Sequence, residues 1–297
     1  MKRSRPSPLA LARAAGLLVV ALVLAGCGAT RGAIGPAPTP AAGESPVFQH
    51  EDFDRFLSRH VDDAGRLAYA AAATDRADLD RYLADLSSAS PDSHPERFAS
   101  EADRLAYWIN AYNASVIDRV LAHYPIESVQ DVRGPWLARL LPEGAGFFVF
   151  ETFALGGKRT RLYTLENALI RKRFAEPRIH FALNCASASC PRLPARAFRG
   201  ETLEVQLARE TRRFLAESRN VDIDPEAGVI RLSSIFDWYT KDFARPTGPR
   251  RGDAVLVTYL AQALDGAARR RLEACVDCRV EFVPYDWSLN DLPSVGG

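Results

Sequence analysis

The stretch from Arg178 to Leu193 brings a histidine, two cysteines and several small polar residues together. An apolar run, Ile179 to Leu183, carries His180 and feeds a loop containing Asn184, Cys185, Ser187, Ser189 and Cys190. These are the residue types of a nucleophilic site. A cysteine hydrolase needs a thiolate, a base and a group that orients the base. Cys185 and His180 are candidates for the first two roles, and Asp286 or Asn110 for the third; Cys190 is the alternative nucleophile. An ordinary thiol, with a pKa of about 8.5, becomes reactive at neutral pH when an imidazolium or a helix N-terminus lies beside it. The loop's small residues would let backbone N–H groups approach a ligand or an oxyanion. Asn113, Asn184, Ser187 and Ser189 are the polar side chains placed to contact that ligand.

The elements that must position these groups can be read from hydrophobic spacing. Phe53, Phe56, Leu57 and Val61 have helical spacing, as do Leu79, Tyr82, Leu83 and Leu86. Glu96 to Tyr124 is the longest helical pattern and is stopped by Pro125. It carries Asn110 and Asn113 among large apolar groups, where each amide must find a hydrogen-bond partner. Gly156-Gly157 marks a hairpin between Phe147–Leu155 and Lys158–Tyr163. Thr164 is placed to cap a helix from Leu165 to Phe174. The run Ile179 to Leu183 reads as a strand, on which His180 and Cys185 would point to opposite faces. The pair would then meet only if the chain turned at or before Cys185, or if Cys190 were the nucleophile. A helix from Glu201 to Ser218, a second hairpin around Pro225 to Gly228, two further helices and a last strand at Val280 to Pro284 complete the pattern. These elements come in unequal groups rather than repeated strand-helix units. The expectation is therefore α+β: one domain from 47 to 292, with helices packed on a mainly antiparallel sheet. Trp108, Tyr112 and Val116 should face a sheet containing Ile179 to Leu183.

The N-terminus reads as a targeting segment. Basic residues are followed by an apolar core, Leu17 to Ala25, that is short for a membrane span. That core ends in Leu24-Ala25-Gly26-Cys27, which resembles a bacterial lipobox and makes residues 1–27 a lipoprotein signal with Cys27 as the lipidation site. Gly28, where an aspartate would retain the protein in the inner membrane, points to outer-membrane anchoring on the periplasmic side. Residues 28–46, rich in Ala, Gly, Pro and Thr, form a flexible tether. The membrane, through the lipid, and an envelope substrate or protein are the expected partners. Net charge is only +1 and short basic runs such as Arg269 to Arg271 are usual on solvated helix faces, so no nucleic-acid partner is expected. Beyond Cys27 there remain Cys185, Cys190, Cys275 and Cys278, which allow three disulfide pairings. The local pairings are the simplest, and their spacing fits zinc poorly; no metal or other cofactor is expected.

Four segments resemble the signature blocks of the DUF547 family: Tyr107 to Asn113, Arg178 to Leu193, Leu232 to Tyr239 and Tyr285 to Asn290. They occur in the family's order, and the resemblance extends over nearly all of the chain from Val47. The family name stands for unknown function, so the resemblance implies no substrate; bacterial members are often predicted to be exported. The family's His-Phe-Ala-Leu block corresponds to His180 to Leu183 and its first cysteine to Cys185. Serine at the position of Cys190 in some members implies that a Cys185–Cys190 disulfide is not obligatory. The Cys275–Cys278 pair lies outside the family pattern.

The leading expectation is a thiol-dependent hydrolase or acyl/amide transferase acting in the cell envelope. A papain- or transglutaminase-like arrangement has the same order of helix, histidine and acid, although its helix would offer a cysteine where this chain has Asn110. A binding or scaffold lipoprotein using Trp136, Trp238, Tyr239 and Trp287 is the alternative, and a redox protein using Cys275 and Cys278 the third. A deep pocket lined by His180, Cys185 and Asn110 would favour the enzyme. A shallow aromatic strip would favour binding, and an exposed cysteine pair at a helix start would favour redox chemistry.

Overall fold

Amphipathic spacing builds the first helices. In α1 (Glu51–His60), Phe53, Phe56 and Leu57 are buried, and acidic residues in the first turn with Arg59 in the last complement the helix dipole. The short α2 (Tyr69–Thr74) and then α3 (Ala77–Ser88) come next, the latter burying Leu79, Tyr82 and Leu86. The long α4 (Glu101–His123) starts at a capping box, in which Ser100 and Asp103 satisfy each other's backbone N–H. It ends just before a cis Tyr124–Pro125 bond. Every residue from Leu105 to Asp118 is buried, so this helix is surrounded by protein rather than lying on a surface. The computed structural model describes residues 47–136, 144–244 and 253–292. Cys27 and the tether 28–46 lie outside the described residues.

The hairpin at Gly156-Gly157 pairs β1 (Phe153–Leu155) with β2 (Lys158–Thr160) antiparallel. Both glycines have positive φ, 55° and 77°, which a two-residue turn of this kind requires. Next comes α5 (Leu162–Thr164), which runs directly into a π-helical segment, Leu165–Arg171. After the 3₁₀ turn Pro177–Phe181 and the cysteine loop comes α6 (Leu203–Ala216). A second hairpin, β3 (Val221–Asp224) with β4 (Val229–Ser233), leads into α7 (Ser234–Trp238) and α8 (Thr240–Phe243). The remaining elements are α9 (Asp253–Ala263), α10 (Gly266–Ala274) and β5 (Arg279–Val283). β5 joins β4 in parallel, from Val229↔Arg279 to Ser233↔Val283. The domain is α+β, with helices dominant and, among the described residues, two small, mostly antiparallel sheets.

Four local expectations are corrected. Ile179 to Leu183 is not a strand. Pro177 starts a 3₁₀ turn, the Glu176 carboxylate accepts from Arg178 N–H, and both Ala182 and Leu183 donate to the Ile179 carbonyl. A short buried apolar run has no period of its own, so strand and helical turn look alike in sequence. Trp108, Tyr112 and Val116 consequently pack among helices, with no sheet made of residues 179–183 beneath them. Finally, Phe147 to Phe150 is a π-helical turn (Gly146–Phe150), and the Thr164 side chain caps nothing because helix already precedes it.

Two apolar clusters form the core. The larger gathers around α4; the smaller lies around β3, β4, α9 and α10. The turn Pro177–Phe181 spans both, since Ile179 belongs to the first and Phe181 to the second. His180, between them, is held at the seam.

Candidate functional site

A cavity of about 390 Å³ opens at this seam. Its wall includes Glu166, Asn167 and Arg171 from the π-helical segment, and His180 from the 3₁₀ turn. Cys185 and Cys190 come from the loop, Trp238 and Tyr239 from the C-terminal end of α7, and Tyr285 and Trp287 from the segment after β5. Tyr112 of α4 closes the back. The wider turn of a π-helix, a form frequent at functional sites, brings Glu166, Asn167 and Arg171 to the same side.

His180 is the best-fixed group in the wall. It is 4% exposed, and its Nε2 lies 2.9 Å from Asp242 Oδ2. Its ring stacks on Tyr239 at 3.9 Å. Arg171 Nε donates to the same Asp242 oxygen at 2.6 Å, and the guanidinium sits 4.7 Å over the Tyr239 ring. Burial lowers the His180 pKa against the opposing pull of Asp242, so the imidazole is neutral at pH 7. Burial works against ionising Asp242, but the hydrogen bonds from His180 and Arg171 outweigh it and bring the carboxyl down to about 2. A charged carboxylate can only accept, so Nε2 carries the imidazole proton and Nδ1 keeps a free lone pair. That is a base held in one tautomer by a carboxylate, the relation that orients histidine in hydrolytic triads.

A second acidic group lies nearby. Glu166 accepts from Tyr239 OH at 2.7 Å and from Tyr112 OH at 3.4 Å. Burial holds both phenols well above their ordinary pKa, and they remain donors. The outer wall is aromatic: Tyr285 and Trp287 rings are 4.7 Å apart, and Trp238 stacks on Trp287 at 5.8 Å.

The structure joins Cys185 to Cys190 in a disulfide, and Cys275 to Cys278 in another. The first bond sits in the cavity wall, so the thiol at Cys185 exists only after reduction. Most of the loop's backbone donors are already engaged within the protein. Asn184 N–H donates to Asn113 Oδ1, Cys185 N–H to Cys190 Sγ, and Ala186 N–H to Asn184 Oδ1. The N–H groups of Ala188, Ser189 and Cys190 donate to the carbonyls of Ser288, Asp286 and Ser187.

The sequence-derived residues therefore separate. His180, Cys185 and Cys190 converge on the cavity. Asn110 does not join them. It is fully buried elsewhere, with Nδ2 donating to Phe198 O at 2.8 Å and Oδ1 accepting from Phe198 N at 2.9 Å. Asn113 and Asn184 brace the cysteine loop: Asn113 Nδ2 donates to Ala182 O, and Asn184 Nδ2 to Pro191 O. Ser187 donates to Tyr285 OH at 2.9 Å, and Ser189 Oγ accepts from Asp286 N–H. The exposed Asp286 turns its carboxylate to Ser288, so the acid beside His180 is Asp242 instead. Glu166, Arg171, Asp242 and Tyr285 were missed, and Tyr239 was expected only as a stacking aromatic of the binding alternative. Glu166 with Arg171, and Tyr239 with Asp242, are each short-range pairs flanked by large apolar residues, the one signal that they are not solvated.

Among the described residues, no group of three or more His, Cys, Asp or Glu could hold a metal ion. None of their helices is long and apolar enough to cross a membrane. Cys275 and Cys278 come after the C-terminus of α10 rather than opening a helix, which is not where a redox-active pair is activated by a helix N-terminus.

Residues 96–215 match the model of a family described as "Protein of unknown function, DUF547". The match supports the family that the sequence blocks resemble, and it contains Glu166, Arg171, His180 and both loop cysteines. No curated protein and no solved structure matches the chain.

Proposed function

We propose that this protein is a lipid-anchored envelope hydrolase or acyl/amide transferase, with His180 as its general base. The observation that carries the reading is the buried His180–Asp242 pair at 2.9 Å, its imidazole in the wall of a cavity of about 390 Å³. In the reduced protein, Cys185 is the nucleophile; its proton passes to His180 Nδ1, its sulfur attacks an acyl carbon, and the bond from that carbon to the amine or alkoxide breaks as His180 returns the proton to the leaving group. Water then releases the acyl group in hydrolysis, and an amine or hydroxyl accepts it in transfer. Asp242 holds the tautomer and stabilises the imidazolium that forms. The enzyme is tested with p-nitrophenyl acetate before and after reduction. Hydrolysis should appear only after reduction and vanish in His180→Ala and Cys185→Ser. A reduced wild type no faster than His180→Ala would remove the enzyme.

The rim of Tyr285, Trp287 and Trp238 supports a second reading, a non-catalytic module that stacks a sugar or peptide of the envelope. Trp287→Ala would then abolish retention on envelope polymer while His180→Ala would not. Anchoring is a separate proposal, resting on the lipobox: Cys27 carries the lipid, with the outer membrane as destination. Metabolic labelling with an alkynyl palmitate should mark wild type and not Cys27→Ala; equal labelling rejects it.

A further inference from the structure

The Cys185–Cys190 bond is asymmetric in its surroundings. Both cysteines line the cavity, but Cys190 is 4% exposed whereas Cys185 is only half-buried, which leaves Cys185 the more accessible. Cys185 N–H donates to the Cys190 sulfur at 2.8 Å, whereas Tyr285 O–H lies within reach of both sulfurs, 3.2 Å from Cys190 and 3.1 Å from Cys185, and Ser187 Oγ is 3.2 Å from the Cys185 sulfur. The Tyr285 oxygen in turn accepts from the Ser187 hydroxyl at 2.9 Å, which directs the phenol proton toward sulfur. Burial raises the Tyr285 pKa, so the phenol keeps that proton. Asn113, Asn184 and Asn290 hold the loop from behind, so this arrangement is fixed before any thiol arrives.

A disulfide opens fastest when the departing sulfur is stabilised as a thiolate and the other sulfur is accessible. Hydrogen bonds to a charged acceptor are about twice as strong as those to a neutral one. The backbone donor therefore gains strength as charge develops on Cys190 and gains nothing if Cys185 departs, while Tyr285 O–H serves whichever sulfur carries the charge.

We propose that Cys185–Cys190 is a thiol–disulfide exchange site with a fixed polarity: Cys185 is the sulfur attacked and Cys190 the sulfur released. An incoming thiolate from a thiol small enough to enter the cavity forms a bond to Cys185 Sγ. The Cys185–Cys190 bond breaks, and its electron pair leaves on Cys190 as a thiolate held by Tyr285 O–H and Cys185 N–H. A second thiolate of the same class attacks the sulfur of the incoming group. That step forms the external disulfide and releases Cys185 as a thiolate. The protein disulfide is reduced by two electrons and two thiols are oxidised. In the reverse direction, Cys185 attacks an external disulfide and Cys190 resolves the mixed species. This exchange does not depend on the hydrolase reading, since it needs neither His180 nor an acyl substrate.

The test treats the folded, oxidised protein with excess reduced glutathione, quenches with N-ethylmaleimide at short times and maps the labelled peptides. Glutathione should appear on Cys185 and the maleimide on Cys190. Tyr285→Phe, which keeps the ring against Trp238 and Trp287, should slow the opening about tenfold. The Cys275–Cys278 pair, read from its own peptide in the same samples, should open at an unchanged rate. Glutathione on Cys190, equal labelling of both sulfurs, no opening in the native protein, or an unaltered rate in Tyr285→Phe would each overturn the assignment. Failure of the acyl-ester test with exchange intact would remove only the hydrolase.

Discussion

His50 and His180 are both buried and both neutral, yet they belong to different kinds of structure. His50 sits in the helical core, where its Nδ1 lies 2.8 Å from Tyr82 OH and 3.2 Å from Asn110 Nδ2. Desolvation, helped by the charge of Arg199, lowers its pKa to about 4. His180 is desolvated as well, but a carboxylate opposes the effect, and its ring reaches an open cavity. The first imidazole is an acceptor fixed between neutral donors and has no work left to do. The second has one nitrogen engaged by Asp242 and the other free. Both residues line cavities, so neither burial nor access to space marks a functional histidine by itself; the partner's charge separates them.

The largest effect that sharpens this contrast falls on the core. Asn110→Ala should cost roughly 4 kcal/mol in urea unfolding, because the Phe198 N–H and C=O both lose their partner inside the protein. The glutathione reaction at Cys185 should be unchanged in the fraction that remains folded. A small stability loss with slowed exchange would instead place Asn110 with the cavity.

The next effect is pH dependence. His50 has a folded pKa below its unfolded value, so the unfolded chain binds the extra proton first. The stability tied to its neutral form is complete above about pH 6.5 and is lost as pH falls toward 4, by roughly 3 kcal/mol in all. Asp242, lowered to about 2, stays ionised across that window. Unfolding free energies between pH 7 and 4 should slope downward in wild type and flatten in His50→Gln. An unchanged slope in that variant would move the acid sensitivity to another group.

Asp242→Asn acts on the other histidine. It removes the charge that raises the His180 pKa and the partner of Arg171. His180 should titrate still lower by NMR, with a stability loss of about 2 kcal/mol. An upward shift would mean that Asp242 does not stabilise the imidazolium, and the proposed base would lose its support.

These differences explain what could be read from sequence. The helices containing Phe53 and Phe56, Leu79 and Tyr82, and Leu105 to Val120 were legible because each repeats apolar residues at helical spacing. Gly156-Gly157 and the segment Pro225 to Gly228 gave both hairpins for the same kind of local reason. His180, Cys185 and Cys190 stood out as reactive types in one segment. Asp242 did not, because it joins His180 from 62 residues away and its own segment reads as an ordinary helix. Glu166 and Arg171 were hidden by the π-helical register, which shifts the faces that a 3.6-residue repeat predicts. Asn110 misled for the opposite reason: an amide in an apolar helix demands a partner, but nothing local says whether that partner is a ligand or the Phe198 backbone.

The smallest expected effect compares alanines in the two regions. Ala186, in the cysteine loop, has φ of 64° and is fully buried, and its carbonyl accepts from Asn290 N–H. A left-handed conformation costs a residue with a Cβ about 1–2 kcal/mol, which glycine avoids. Replacing alanine also loses a buried methyl, about 0.8 kcal/mol, and adds freedom to the unfolded chain. For Ala186→Gly these terms nearly cancel, and the change should stay within about 0.5 kcal/mol. Ala114, equally buried in α4, has ordinary helical geometry, so Ala114→Gly has no strain to relieve and should cost about 2 kcal/mol. Urea unfolding of the two variants side by side measures the difference. Equal losses would mean that the loop carries no conformational strain at Ala186, and that its shape is held by the asparagine braces alone.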